Sequence, residues 1–359
     1  MTDGGDASGT NGEAKRPSDL AALSEDGLIR RIRRAAESED PRIIRNIGDD
    51  AAVVAAAEKT VVTTDLLIED VHFKLSTSPP KLLGRKAMAV NLSDLAAMGA
   101  VPRFAFLGLA APGNFSAAMM DEIMAGFIGR GQEAAVTLTG GDVCRADKLV
   151  LAVTLIGDAE PPAPVYRSGA RPRDLVFVTG TVGDSALGLL RLGELGEPVT
   201  MEMIESDPLR YPILRHLDPP ARLEAGLRLA AAARSMMDLS DGIMKDLPRL
   251  LLESGGLGAV IETALLPLSA PFKERFQVKA APEGRALACA AAGGEDYELI
   301  FTASSDVEAA ISRIAERTGL AITRIGEVRQ EPGLVLIGPD GDEVAPPAML
   351  FEHFVPQAR

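Results

Sequence analysis

The sequence predicts an α/β (α+β) protein of two units. Short strand-like runs alternate with apolar-periodic helices along nearly the whole chain. That alternation is broken once, by the proline-rich run Glu160-Pro161-Pro162-Ala163-Pro164, which reads as a linker. A length of 359 residues is enough for two domains and a large core. The expected boundaries are a disordered tail over 1–17, a first domain over 18–158 and a second over 165–359.

The tail is polar and Gly-rich and has no apolar segment of the signal-peptide kind. Ordered structure is expected from Ser18, with an amphipathic helix over Asp26 to Ala36. Thr60 to Thr64 reads as a strand delivering Asp65 at its end. Pro79 and Pro80 open a helix with Leu83, Ala87, Val90 and Met98 among its apolar positions, and Gly99 closes it. Asn91 and Asp94, three apart, share a face of that helix. Ser116 caps a second long helix towards Glu133. Val136 to Leu138 reads as a short strand feeding Gly140-Gly141-Asp142, and Lys148 to Gly157 as a longer one. Beyond the linker, Asp174 to Thr179 is a strand that turns through Gly180 and Gly183 into a helix from Ser185 to Leu192. Helices are then expected over Pro219–Arg234, Gly242–Leu252 and Val307–Arg317. Strands fit Ala259–Ile261, Tyr297–Phe301, Ile322–Ile325 and Leu334–Ile337.

Composition narrows the function classes. Hydrophobic residues make up 47% and charged residues 25%, the balance of an ordinary soluble globular protein. A net charge of −14 argues against non-specific nucleic-acid binding, which needs clustered Lys and Arg. Aromatics at 4% and no Trp leave no stacking platform for single strands. No apolar stretch reaches the length of a membrane span without charges or glycines interrupting it. Cys144 and Cys289 are the only cysteines and form no CxxC, which fits a reducing cytoplasm and disfavours zinc.

The chemistry-bearing residues are short acidic motifs set far apart: Gly48-Asp49-Asp50, Thr63-Thr64-Asp65, Asn91-Leu92-Ser93-Asp94, Gly140-Gly141-Asp142 and Asp238-Leu239-Ser240-Asp241-Gly242. Carboxylates gathered at such places repel one another unless cations sit among them, and magnesium is the natural hard cation for oxygen ligands. There is no Gly-x-x-x-x-Gly-Lys-Ser/Thr loop, so nucleotide phosphates would be held through metal. Taken singly, each motif also has a plainer reading. Gly-Asp-Asp and Gly-Gly make ordinary turns, and Thr-Asp, Asp94 or Asp238–Asp241 make caps. Gly180-Thr181-Val182-Gly183-Asp184 is a weak dinucleotide-type turn, and Cys144 reads as a small buried thiol.

Taken together and in order, the motifs carry a resemblance. Asn46-Ile47-Gly48-Asp49-Asp50, Thr63-Thr64-Asp65-Leu66 before Val71-His72-Phe73, and the helix Ala89 to Ala100 are followed by Gly140-Gly141-Asp142, Arg167-Ser168-Gly169-Ala170, Asp238 to Gly242, and Gly293-Gly294-Glu295-Asp296-Tyr297-Glu298-Leu299. Over roughly residues 25 to 355 the chain resembles the thiamine-monophosphate kinases, within the aminoimidazole ribonucleotide synthetase superfamily. The resemblance implies ATP-dependent phosphorylation of thiamine phosphate to thiamine diphosphate. It implies a homodimer in which N-terminal mixed sheets pair, with a C-terminal α/β domain beside them. By motif, Asp50, Thr63, Thr64, Asp65, Asp94, Asp142, Asp238 and Asp241 would bind magnesium. Gly141, Asp142, Arg167 and Ser240 would contact ATP, and His72, Glu295 and Phe351 would face thiamine phosphate. Two positions depart from the pattern: Asp70 stands where Gly often precedes Val-His-Phe, and Phe351-Glu352 stands where Tyr or Trp with Asp is usual. Within the superfamily, the selenophosphate and hydrogenase-maturation relatives would need cysteines near one terminus, which this chain lacks. A catalytically silent nucleotide-binding dimer is the rival from another class.

Overall fold

The computed structural model of the protein describes residue 20 and residues 25–47, 52–159 and 161–348. The expected tail, Asp50 and Phe351 lie outside the described residues. The first unit opens with helix α1 (Glu25–Ala35) and a small antiparallel pair, β1 (Ile43–Arg45) and β2 (Val53–Val54). Its sheet is built from β3 (Thr60–Ile68), β4 (Val101–Ala111), β5 (Thr137–Arg145) and β6 (Val150–Asp158), in the spatial order β3-β6-β4-β5. β4 and β5 run parallel and the other pairs antiparallel, so the sheet is mixed.

Helices α2 (Pro80–Ala97) and α3 (Ala117–Glu133) begin and end where their capping residues dictate. Pro80 occupies the first turn of α2, where its missing N–H costs nothing. Gly99 follows the helix at φ 65°, a left-handed conformation that favours glycine. The Ser116 hydroxyl accepts from the Met119 N–H at the start of α3.

The second unit is built around a seven-stranded sheet. Along the chain it runs β7 (Leu175–Thr179), α4 (Asp184–Glu194), α5 (Met201–Ser206), α6 (Arg210–Leu217), α7 (Leu223–Leu229), β8 (Ser235–Asp238), α8 (Ile243–Glu253), β9 (Gly258–Glu262), α9 (Ala270–Phe276), α10 (Gly284–Ala292), β10 (Leu299–Ala303), α11 (Glu308–Thr318), β11 (Ile322–Arg329), β12 (Gly333–Ile337) and β13 (Glu343–Val344). The strand order is β13-β12-β9-β11-β7-β10-β8, and within this sheet only β9 and β12 pair in parallel among the described strands.

Several elements differ from the sequence expectation. β3 continues to Ile68 because its ladder with β6 runs unbroken from Thr60 to Ile68, so Asp65 lies inside the strand and not at its end. Gly140-Gly141-Asp142 is likewise inside a strand and not a turn, since β5 pairs with β4 through Arg145. The long central strand β4 has no predicted counterpart. Its run holds three alanines, a proline and only one β-branched residue, Val101, and lacks the alternation that marks a strand. The helix expected over Pro219–Arg234 shrinks to Leu223–Leu229. The linker is packed and not loose, because Ala163 and Val165 are buried with Phe177, Leu229 and Phe301 in a core shared by both units.

Helix α2 is the axis of this arrangement. Its side chains are buried on almost every side, against the first sheet, α3 and the second unit. The approach to α3 is backbone to backbone: a Cβ on Gly84 would stand 1.9 Å from the Ile123 carbonyl oxygen, and one on Gly126 would stand 1.9 Å from that of Lys81. A Cβ on Gly226 of α7 would meet the Ala96 oxygen at 2.0 Å. The absence of these β-carbons sets how deeply α2 sits, and therefore where Asn91 and Asp94 stand. Gly84→Ala is expected to force α2 off α3 and lower the unfolding free energy by about 1–3 kcal/mol, read by urea denaturation. A variant as stable as the parent would show that the crossing is not this tight.

Candidate active site

Three elements bring carboxylates together. β3 projects Thr63 and Asp65 on the face that packs against α2, and the Thr63 hydroxyl donates to Asp94 Oδ2. β8 ends in Asp238, which is buried and accepts a 2.7 Å hydrogen bond from Ser93 Oγ of α2. Burial raises the proton affinity of all three acids. Burial first, and the Asp94 charge second, push Asp65 up to about 6. Burial also raises Asp94, against the pull of the Thr63 hydroxyl and the Arg167 guanidinium. Asp238 lies well above the carboxylate range because of burial, with Asp94, Asp246 and Asp65 adding to it. A few residues from Asp94 on the same helix, Asn91 is fully buried. Its amide donates to the Ala87 carbonyl, while its Oδ1 has no hydrogen-bond partner among the described residues.

The run from Glu295 to Glu298 forms a second wall, and its residues alternate in role. Asp296 and Glu298 turn into the second unit. Asp296 accepts from the Gly183 and Ser185 N–H groups at 2.6 and 3.1 Å, so the start of α4 is capped internally. This answers the dinucleotide-type turn at Gly180–Asp184: the N–H groups that would take a phosphate are already occupied by Asp296. Glu298, with no exposure, accepts from Arg215, Arg222 and the Thr179 hydroxyl. Glu295 and Tyr297 turn the other way. The Glu295 carboxylate meets Lys86 Nζ of α2 at 2.9 Å and His216 Nδ1 of α6 at 3.2 Å. Burial works against its ionisation, yet the Lys86 ammonium above all holds it below its ordinary value. Burial, then Glu295, Asp65, Asp238 and Asp94, raise the Tyr297 phenol far above its usual range, so it stays protonated beside the acids. His72 Nδ1 accepts from the Ile68 N–H at 3.1 Å, which places the ring proton of the neutral form on Nε2.

Other expected residues stand apart from this group. Register across the sheet runs Asp65, Val153, Leu107, Gly141, and in the next row Leu66, Ala152, Gly108, Asp142. Since neighbouring residues of a strand face opposite ways, Asp142 lies on the face away from Asp65, and it is exposed. Thr64 shares that outer face, donating to the Val153 carbonyl and accepting from Thr154 Oγ1. Gly141 is tied to glycine by β4, because a Cβ there would stand 2.0 Å from the Leu107 oxygen. Gly141 and Asp142 help line a cavity of about 530 Å³ with Ile29, Ile32 and Asn46. Asp241 is bridged to Asp246 by Arg249, at 2.6 and 3.0 Å. Arg167 is exposed but acts on Asp94, and the Ser240 carbonyl accepts the Glu295 N–H. Cys144 is exposed and not buried, since it lies on the outer face of edge strand β5. Asp70 adopts φ 63°, which is why glycine suits that position; here the carboxylate pairs with Lys148 at 3.0 Å.

The donors at Asp65, Asp94, Asp238 and Thr63 are hard oxygens, and burial raises the proton affinity of the three carboxylates. No three acidic, histidine or cysteine side chains among the described residues converge as a closed metal cage. This pattern fits magnesium, which is commonly held by one or two carboxylates with the remaining positions filled by water and a ligand's phosphates. Sequence reasoning passed over Lys86, His216, Tyr297 and Asp246. For Lys86 a signal existed, a charge flanked at helical spacing by Leu82, Leu83, Ala89 and Val90, whereas His216 has no motif around it.

Comparison with known proteins bears on this site. Two family models match, AIR synthase related protein N-terminal domain over residues 48–159 and C-terminal domain over 171–339. The chain is 37% identical to the thiamine-monophosphate kinase of Bacillus subtilis (strain 168) over 289 residues, covering 79% of this chain and 85% of that protein. Its fold is similar to the crystal structure of thiamine-monophosphate kinase from Stenotrophomonas maltophilia K279a, with TM-score 0.75, 36% identity and coverage of 88% of this chain and 96% of that one. It is also similar to AaThiL complexed with AMPPCP and TMP, with TM-score 0.67, 32% identity and coverage of 92% and 98%.

The buried acids make stability depend on pH. Burial pushes Asp296 up from 3.8 to about 7. Such a group binds its proton more tightly when folded, so stability is lost as pH rises from about 4 to about 7 and is level above that. Asp65 and Asp246, both near 6, add to the same trend. In metal-free buffer the melting temperature is expected to fall across this window. Asp296→Asn, though less stable for want of one helix-capping bond, should show a shallower fall between pH 6 and 7. An unchanged slope would remove Asp296 from the titration.

Proposed function

The chain belongs to the thiamine-monophosphate kinase family, and we propose that its acid-lined cleft carries ATP-dependent phosphorylation of thiamine phosphate to thiamine diphosphate. The observation that supports this most directly is the group Asp65, Asp94 and Asp238, three carboxylates whose proton affinity burial raises where β3, α2 and β8 meet, with the Asp94 charge adding to the other two.

In this reading a phosphate oxygen of thiamine phosphate attacks the γ-phosphorus of ATP in line. The bond from that phosphorus to the bridging oxygen breaks, and ADP leaves with the electron pair. The attacking oxygen is already ionised, so the chain needs no strong general base. Its residues bind, orient and exclude. Asp65, Asp94, Asp238 and Thr63 would hold magnesium, and Asp50, Thr64, Asp142 and Asp241 would hold further ions. When bound, magnesium would offset repulsion between the two polyanionic substrates and stabilise charge on the transferred phosphoryl group. Gly141, Asp142, Arg167 and Ser240 would contact ATP. His72, Glu295 and Phe351 would face thiamine phosphate, with Phe351 offering a ring face but no donor.

The open face of the first sheet suits a second copy of the chain. Val62 and Leu66 are 60% and 55% exposed there, on the side opposite the α2 core. A homodimer with these faces paired would bury both. Two unpaired thiols suit a cytoplasmic enzyme.

A coupled assay of ADP release is expected to show turnover that needs both thiamine phosphate and Mg²⁺. ATP binding without such turnover would favour a silent nucleotide-binding dimer instead. Asp94→Ala should fold and lose on the order of a hundredfold in kcat, while full activity would remove Asp94 from the site. Leu66→Glu should shift the protein from dimer to monomer in sedimentation velocity; an unchanged species would place the contact elsewhere.

A further inference from the structure

Lys86 belongs to the first unit and His216 to the second, yet both end on one carboxylate. Lys86 Nζ holds Glu295 Oε1 at 2.9 Å, and His216 Nδ1 lies 3.2 Å from Glu295 Oε2 and 3.0 Å from Ser185 Oγ. The two basic side chains are 4% and 7% exposed, whereas that of Glu295 keeps 28%. A lysine so deeply buried is costly unless paired, so this partner is matched to it. Glu295 also sits at φ 66° and Tyr297 at φ 50°, left-handed conformations that non-glycine residues rarely adopt. Their N–H groups are pinned to the Ser240 and Leu239 carbonyls. Strain of this kind, on a carboxylate left open to a cleft, marks a functional segment more than a structural one.

We infer that Lys86 and His216 are positioning residues that fix the Glu295 carboxylate for the acceptor substrate. Burial lowers the His216 imidazole to about 4, so it is neutral at working pH, and the Lys86–Glu295 pair carries no net charge. What remains open to the cleft is the exposed part of the Glu295 carboxylate, an acceptor with no proton to give. It suits N–H donors on a heterocycle, such as the exocyclic amine of thiamine phosphate. The inference rests on thiamine phosphate being the acceptor.

Steady-state kinetics of Lys86→Met, Glu295→Gln and the double variant test it, with thermal unfolding measured in parallel. Lys86→Met should raise KM for thiamine phosphate about tenfold or more, with KM for ATP within about twofold. In the Glu295→Gln background it should add less than about threefold, because the two act as one unit. Additive losses would mean that Lys86 acts on substrate independently and would overturn the assignment. So would an unchanged KM in a folded variant. If Lys86→Met fails to fold, His216→Asn, judged by the same KM split and the same Glu295→Gln background, decides the question. Absence of turnover in the wild-type protein would refute the functional reading itself. Calorimetric binding of thiamine phosphate would then test the positioning role in the same variants.

Discussion

The burial of three neighbouring carboxylates, Asp65, Asp94 and Asp238, is the constraint around which the site is organised. Left to themselves, three carboxylates would separate into water, and each is instead held by something stiffer than a side chain. Asp65 is fixed by an unbroken nine-residue ladder between β3 and β6. Asp94 rides on a helix seated against α3 through glycines, and Asp238 ends a fully buried strand. Thr63 and Ser93 each give one hydrogen bond to this group, enough to orient the acids but not to neutralise them. The remaining charge is what a cation-bearing ligand would relieve. The packed helix α2 keeps these acids buried together.

The segment after Gly294 separates holding from binding within four residues. Asp296 caps α4 and Glu298 collects two arginines, so the even positions anchor the segment to the second unit. With those anchors set, Glu295 and Tyr297 are carried to the cleft in conformations that they would not choose alone. The same logic appears in the first sheet, where one face is packed under α2 and the other carries Thr64, Leu66 and Asp142 outward. A period of two decides which acids meet and which do not.

Read alone, the sequence determined the class of the protein and most of its elements. Proline and serine capping placed the starts of α2 and α3, and hard-oxygen motifs in a fixed order pointed to a magnesium-dependent phosphoryl-transfer family. Local chemistry suffices for the caps, which act over a few residues, whereas the family came from the resemblance carried by the joint order of the motifs. Tertiary structure decided the rest. The strand β4 is invisible locally, since an apolar run with one β-branched residue and no alternation becomes a strand only when partners flank it on both sides. Which acids share a cleft depends on register across four strands and on how closely two helix backbones approach. Lys86 and His216 lie 130 residues apart in the numbering, and only the packing of α2 against the second unit brings them to the same carboxylate.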